Sequence, residues 1–206
     1  MNAGATAERV HETLKREIMD RAFRPGDRLD PAVLAGDLAS STTPVREALY
    51  QLAGEGLVES RTGTGFHLPA LDEPALKDMY VWSAELLALA LRGWKGGTPA
   101  AAPRVVSDAE DDTSSIAERT ARLFTAIADR SLNGEHGRAI ARLNVRLHAV
   151  RTIEPLLIDD GASELDAIEA VLHAGDKPDL RRCIATYHRR RIHSAAVILR
   201  TLYRRD

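Results

Sequence analysis

The run Ser40-Ser41-Thr42-Thr43-Pro44 constrains this chain more than any other segment. Four small polar residues followed by proline suit a tight turn between two helices. Upstream, Asp30 has the character of an N-cap, with Pro31 at the first helical position. The short helix it opens turns Leu34 and Leu38 inward and ends near Ala39. Downstream, Pro44 is expected to start the next helix with Thr43 as its cap. Val45, Leu49 and Leu52 then face inward, and Gly54 and Gly56 end the helix. Residues 5–20 form an earlier helix with Val10, Leu14 and Ile18 on one stripe, broken at Pro25-Gly26 in FRPGDRL. After Gly56 come two short runs, LVES and GFHL, separated by RTGT. Gly63 and Gly65 suit the tip of a β-hairpin. Helix, helix, tight turn, helix and hairpin in about 65 residues is the order of a winged helix-turn-helix.

The remainder is expected to be all helical. Residues 73–93 form a strongly apolar helix (Leu76, Met79, Tyr80, Leu86, Leu87, Leu91), and further helices fall near 113–131, 135–154, 162–174 and 178–203. Residues 94–112, WKGGTPAAAPRVVSDAEDD, read as a flexible loop. The fold class is therefore mostly α. A winged helix-turn-helix domain with a small β-hairpin wing spans 1–70, and an all-α helical bundle spans 71–206.

Composition narrows the setting. A single cysteine, Cys183, cannot make an internal disulfide, which fits a reducing cytoplasm. The first residues lack the apolar core of a signal peptide, and no stretch approaches about 18 uncharged apolar residues, so no membrane span is expected. The net charge of −2 weighs against nucleic-acid binding, because duplex affinity comes largely from Lys and Arg on phosphates. Residues 1–70 carry eight Lys/Arg against ten Asp/Glu, so a DNA-binding face there must be a local patch. From Arg181 onward there are eight arginines and one acid, Asp206.

Major-groove reading uses the N-terminal end of the second helix of the pair. Here Val45 turns inward, which leaves Ser41, Thr42, Thr43 and Arg46 outward. Arg46 alone among them has a bidentate fork for guanine or phosphate. Hydroxyls and free backbone N–H groups at the helix start can donate to phosphates. The hairpin tip, Arg61-Thr62-Gly63-Thr64, is placed to reach the minor groove or its backbone. The bland alternative makes Arg46 half of a surface ion pair and the hairpin purely structural.

STTPVREALYQLAGEGLVESRTGTGFHL resembles the DNA-binding signature of the GntR family of transcriptional regulators. Arg9 to Asp30 is similar to that family's first helix and loop, so the likeness covers about residues 7–69. The resemblance implies that Ser41, Thr42, Thr43, Arg46, Thr62 and Gly63 contact double-stranded DNA, with Arg61 added by its place at the hairpin tip, as one half of a dimer on a pseudo-palindromic operator. Two departures stand out. Family members usually carry arginine where this chain has Ala32, and often where it has Thr42. At about 1–3 kcal/mol per base contact, weaker binding or an altered operator is expected.

The helical remainder is similar to the effector-binding domain of the FadR-type branch, on LDEPALKDMYVWSAELL, LFTAIADRSLN and AIEAVLHAGD. Relatives hold a metal there through one Asp and three His, and the metal helps bind a carboxylate effector. Those positions fall here on Thr120, Phe124, Leu165 and either Tyr187 or His188, and a usual arginine falls on Ser83. One imidazole cannot hold a divalent first-row ion firmly, so no metal and no cofactor are expected. The effector pocket implied has Ser83, Thr120, Phe124, His148, Leu165 and His188. It is expected to take a different, more hydrophobic small molecule, or to have become purely a dimerisation core.

His188 lies on an apolar stripe and reads as a buried, hydrogen-bonded histidine, Cys183 as a core thiol, and Trp82 and Trp94 as packing residues. The groups Arg181/Arg182 and Arg189–Arg191 read as a solvated face or dimer-interface partners. No phosphate loop, GxSxG, HExxH or CxxC motif points to an enzyme. The reading is a homodimeric repressor in the cytoplasm, controlled by a small molecule. The alternative is a protein-interaction module whose DNA binding has degenerated.

Overall fold

Val10, Leu14 and Ile18 recur every fourth residue, and all three lie on the buried face of the first helix, α1 (Ala3–Met19), in the computed structural model, which describes residues 3–94 and 115–204. The chain divides into two units, Met1–Leu71 and Asp72–Asp206.

In the first unit the chain leaves α1 and forms a two-residue strand, β1 (Arg28–Leu29). The Asp30 carboxylate then caps α2 (Pro31–Asp37) by accepting from the Ala32 N–H at 2.9 Å. The next helix, α3, runs Thr42–Glu55 with Ser41 as its N-cap, and the Ser41 side chain makes no capping bond. The expectation that Thr43 caps a helix beginning at Pro44 is two residues late. The first-turn N–H groups of a helix have no intrahelical partner, so proline is tolerated throughout that turn and does not mark its first residue. Gly56 closes α3 in the left-handed region (φ 80°), and the Leu57 N–H returns to the Leu52 carbonyl at 3.0 Å. Gly54 lies within the helix.

The hairpin expected from LVES and GFHL forms as β2 (Glu59–Arg61) and β3 (Gly65–His67). The strand β1, which sequence reading passed over as part of a loop, adds to it in the order β1-β3-β2, all antiparallel. Phe66 sits opposite both Leu29 and Ser60, and its side chain and Leu29 are buried. Helices α1 and α2 both pack on α3, which makes this unit a winged helix-turn-helix.

The second unit is an all-α bundle. Asp72 caps α4 (Glu73–Arg92) through the Ala75 N–H at 2.8 Å. Ser115 and Glu118 form a reciprocal capping box on α5 (Ile116–Asp129). Then follow α6 (Glu135–Arg151), a 3-10 turn (Glu154–Leu156), α7 (Gly161–Ala174) and α8 (Lys177–Tyr203). The helix expected over 135–154 stops at Arg151, just before the 3-10 turn that contains Pro155. Helix α4 packs against α8, α6 and α5, while α7 packs against α8 and α5.

Of the loop expected over 94–112, residues 95–112 lie outside the described residues. Trp94 bridges to Ser131 and donates its indole N–H to the Ile127 carbonyl at 3.0 Å. Three other expectations are corrected. Trp82 is 48% exposed and does not pack in the core. Cys183 is half-buried. Arg191, expected on a solvated face or an interface, is fully buried on α8 by carboxylates that partner it.

Candidate functional site

The start of α3 presents one polar face outward. Ser41, Thr42, Thr43 and Arg46 are exposed, together with Glu47 and Tyr50, while Val45, Ala48, Leu49 and Leu52 are buried. This is the helical period acting on a sequence with one apolar stripe. Among the described residues the Arg46 guanidinium has no ion pair or hydrogen bond, so its fork is free. The N–H groups of Ser41, Thr42 and Thr43 lie at the positive end of the helix dipole, a natural place for an anion.

Two contacts hold this helix in place. From α1, His11 Nε2 meets Glu55 Oε1 at 2.7 Å and Lys15 Nζ meets Glu55 Oε2 at 2.8 Å. Burial pushes the Glu55 carboxyl pKa up, but the bonds from Lys15 and His11 prevail and hold it below the usual range. On the outer side, the Tyr50 ring stands edge-on to Phe66, with centroids 4.9 Å apart. Tyr50 is 58% exposed and lies one turn beyond Arg46 on the same face. Sequence reading missed it, although its spacing from Arg46 was the available signal.

At the hairpin tip Thr62 and Gly63 are exposed, and Gly63 takes φ 81°. Arg61 is exposed too, but its Nη2 and Nε bond Glu59 Oε2 at 2.6 and 2.9 Å. To meet a phosphate it must exchange that partner, a small cost for an exposed pair.

In the bundle, the structure brings Ser83, Phe124 and His188 together. His188 Nδ1 donates to the Ile184 carbonyl at 2.7 Å, which leaves Nε2 to accept from the Ser83 hydroxyl at 3.0 Å. The Phe124 ring stacks on the His188 ring at 5.4 Å and meets Tyr187 edge-on at 5.0 Å. Burial, and then the charges of Arg151 and Arg191, push the His188 pKa down to about 3, so the ring is neutral. Thr120 is buried on α5, Leu165 on α7 and His148 on α6.

Sequence reading missed the polar network beside this cluster. Glu154 accepts from Tyr80 Oη at 2.6 Å, from Arg191 Nε at 2.8 Å and from Tyr187 Oη at 3.4 Å. Arg191 Nη1 also meets Glu164 at 2.5 Å. Burial, with the Glu154 charge behind it, pushes the Tyr187 pKa up to about 12. Arg151 is fully buried and donates from Nη1 to Asn144 Oδ1 at 2.8 Å. The available signal was position: Ile140, Leu143, Asn144, Leu147 and Arg151 share one stripe of α6, as His188 and Arg191 share one of α8.

The residues at the relatives' metal positions do not fit a metal. Thr120, Phe124 and Leu165 offer no strong ligand, and both His188 nitrogens are engaged. Among the described residues no group of three or more His, Cys, Asp or Glu is arranged to hold an ion. No helix among them is long and apolar enough to cross a membrane.

Residues 6–68 match the family described as bacterial regulatory proteins, gntR family. The Nta operon transcriptional regulator of Aminobacter aminovorans is 40% identical over 70 residues, which are 34% of this chain and 33% of that protein. The HTH-type transcriptional regulator YdhC of Bacillus subtilis (strain 168) is 25% identical over 138 residues, 67% of this chain and 55% of that protein. The chain thus spans about a third to just over half the length of these curated relatives. The fold of E. coli McbR/YncC aligns with TM-score 0.61 at 24% identity, covering 95% of this chain and 98% of that one.

Proposed function

We propose, from the premise that residues 6–68 are a domain of the gntR family of bacterial regulatory proteins, that this chain is a DNA-binding transcriptional regulator. It works in the cytoplasm as a homodimeric repressor whose two reading helices meet the half-sites of a pseudo-palindrome. Ser41, Thr42, Thr43 and Arg46 contact the major groove, while Arg61, Thr62 and Gly63 contact DNA from the wing. One observation carries this reading: Ser41, Thr42, Thr43 and Arg46 stand exposed at a helix start with the Arg46 fork unpaired among the described residues. A small-molecule effector binds in the bundle core around Ser83, Thr120, Phe124, His148, Leu165 and His188.

Genome-wide footprinting identifies the bound DNA, and affinity for that fragment is then measured across salt concentrations. Affinity should fall as salt rises, because bound phosphates release counterions. Arg46→Ala should weaken binding by about tenfold or more, with an unchanged circular dichroism spectrum. Unaltered affinity in that variant would remove Arg46 from the interface. A second reading, an interaction module without DNA binding, draws on Ala32 and Thr42 in place of arginines and on the acidic balance of residues 1–70. The absence of any bound fragment, even at low salt, would favour it.

A further inference from the structure

We propose that the outer face of α4 is the surface on which two copies of this chain join, with their α4 helices antiparallel and the two-fold axis at Glu85. The inner face of α4 already packs against α8, α6 and α5. A helix packed on one side usually turns polar residues to solvent on the other. Here the outer face carries Val81, Trp82 and Leu89, exposed by 42%, 48% and 36%. No other helix among the described residues leaves three large apolar side chains in solvent. Together with the exposed Asp78, Glu85 and Arg92 they recur at spacings of three and four, and so form one stripe.

The order of residues about Glu85 favours a second copy over a different protein. Val81 lies four residues before Glu85 and Leu89 four after it, while Asp78 lies seven before and Arg92 seven after. At a rise of about 1.5 Å per residue, Asp78 and Arg92 stand roughly 10 Å to either side. A half-turn about an axis through Glu85 therefore sets Asp78 of each copy opposite Arg92 of the other. The same operation sets Val81 opposite Leu89, and the large Trp82 opposite the small, half-buried Ala88. An isologous contact demands such a self-complementary pattern, whereas a contact with an unrelated surface does not. Asp78, Glu85 and Arg92 have no ion pair or hydrogen bond among the described residues, so the charges are open to a partner. At the axis Glu85 meets its own copy, and these like charges oppose the contact. The apolar side chains and the two outer Asp78–Arg92 pairs hold it. Trp82 lies within one turn of the axis, where an indole anchors an interface most effectively.

The inference rests on the homodimer of the proposed function and adds its face and register. The full-length chain and its variants are compared by analytical ultracentrifugation over a range of concentrations, which gives the dissociation constant of the dimer. The four positions substituted are exposed, so each variant should keep its circular dichroism spectrum. Trp82→Glu should raise the dissociation constant by about a hundredfold or more. Asp78→Arg and Arg92→Asp each bring like charges together at two symmetric places, and each should weaken the dimer by about tenfold. Combining the two reverses both pairs and should return the constant to within about threefold of wild type. Glu85→Gln, which removes the repulsion at the axis, should tighten the dimer severalfold. A dimer that Trp82→Glu leaves intact overturns the proposal, while the homodimer itself then stands on another surface. A double reversal no tighter than either single one, or a Glu85→Gln dimer no tighter than wild type, overturns the antiparallel register and with it the proposal. A wild-type chain that is monomeric at every concentration removes the homodimer and this face together, and leaves the patch to a different protein.

Discussion

Glu154 joins two tyrosines and an arginine in a place where an unpaired charge is costly. Replacing it with glutamine leaves Arg191 with only the partly exposed Glu164 as a counter-charge. Stranding a buried ion costs about 3–5 kcal/mol. Urea unfolding followed by tryptophan fluorescence reports this directly, because both tryptophans, Trp82 and Trp94, belong to the helical unit. A loss below about 1 kcal/mol in Glu154→Gln, the usual range for an exposed pair, would deny the network its structural role. His188 makes a second prediction, with a definite sign. Its unfolded pKa is about 6.5 and its folded value about 3. Between those values the unfolded chain takes up the proton and the folded chain does not. The stabilisation is thus complete above pH 6.5 and is lost as pH falls towards 3, by about 1.4 kcal/mol per pH unit. Wild type should lose stability more steeply between pH 6 and pH 4.5 than His188→Gln. Equal slopes would mean that His188 is protonated in the fold.

At the scale of elements, helix ends were largely legible in the sequence. Asp30 and Pro31 announce α2, and Gly56 closes α3 as its chemistry allows. The start of α3 was misread by two residues because proline marks a turn of helix and not a particular position in it. Strand β1 escaped notice because two residues show no alternation, and its pairing with β3 is a tertiary fact. The outward residues of α3 followed from a single stripe, Val45, Leu49 and Leu52, whereas the polar bundle core did not follow from its stripes. Arginine and glutamate read by type as surface residues, and only the folded arrangement of α6, α8 and the 3-10 turn supplies their partners. Caps are testable one at a time. Asp72→Ala should cost about 1 kcal/mol and should speed amide exchange at Ala75 and in the first turn of α4. Asp72→Ser should recover most of the protection. Exchange that does not change in Asp72→Ala would show that packing alone holds that end.

At the scale of the whole molecule, the expected dimer is checked by light scattering, which should report about twice the chain mass of 22.5 kDa. The salt dependence of DNA binding should be shallow for such a regulator, since residues 1–70 are short of basic side chains. A steep dependence would mean that phosphate contacts come from elsewhere in the chain. The edge-on contact of Tyr50 with Phe66 bears on how tightly DNA is held. Phe66 belongs to the middle strand of the sheet and Tyr50 to the exposed side of α3 that also carries Arg46. Wing and α3 are therefore clasped together before any duplex arrives, and in the proposed DNA-binding reading the spacing between groove and backbone contacts is already set. Less motion remains to be frozen on association, which raises affinity without adding a contact. Loosening that clasp would make the protein a poorer reader even though every residue that touches DNA stayed the same.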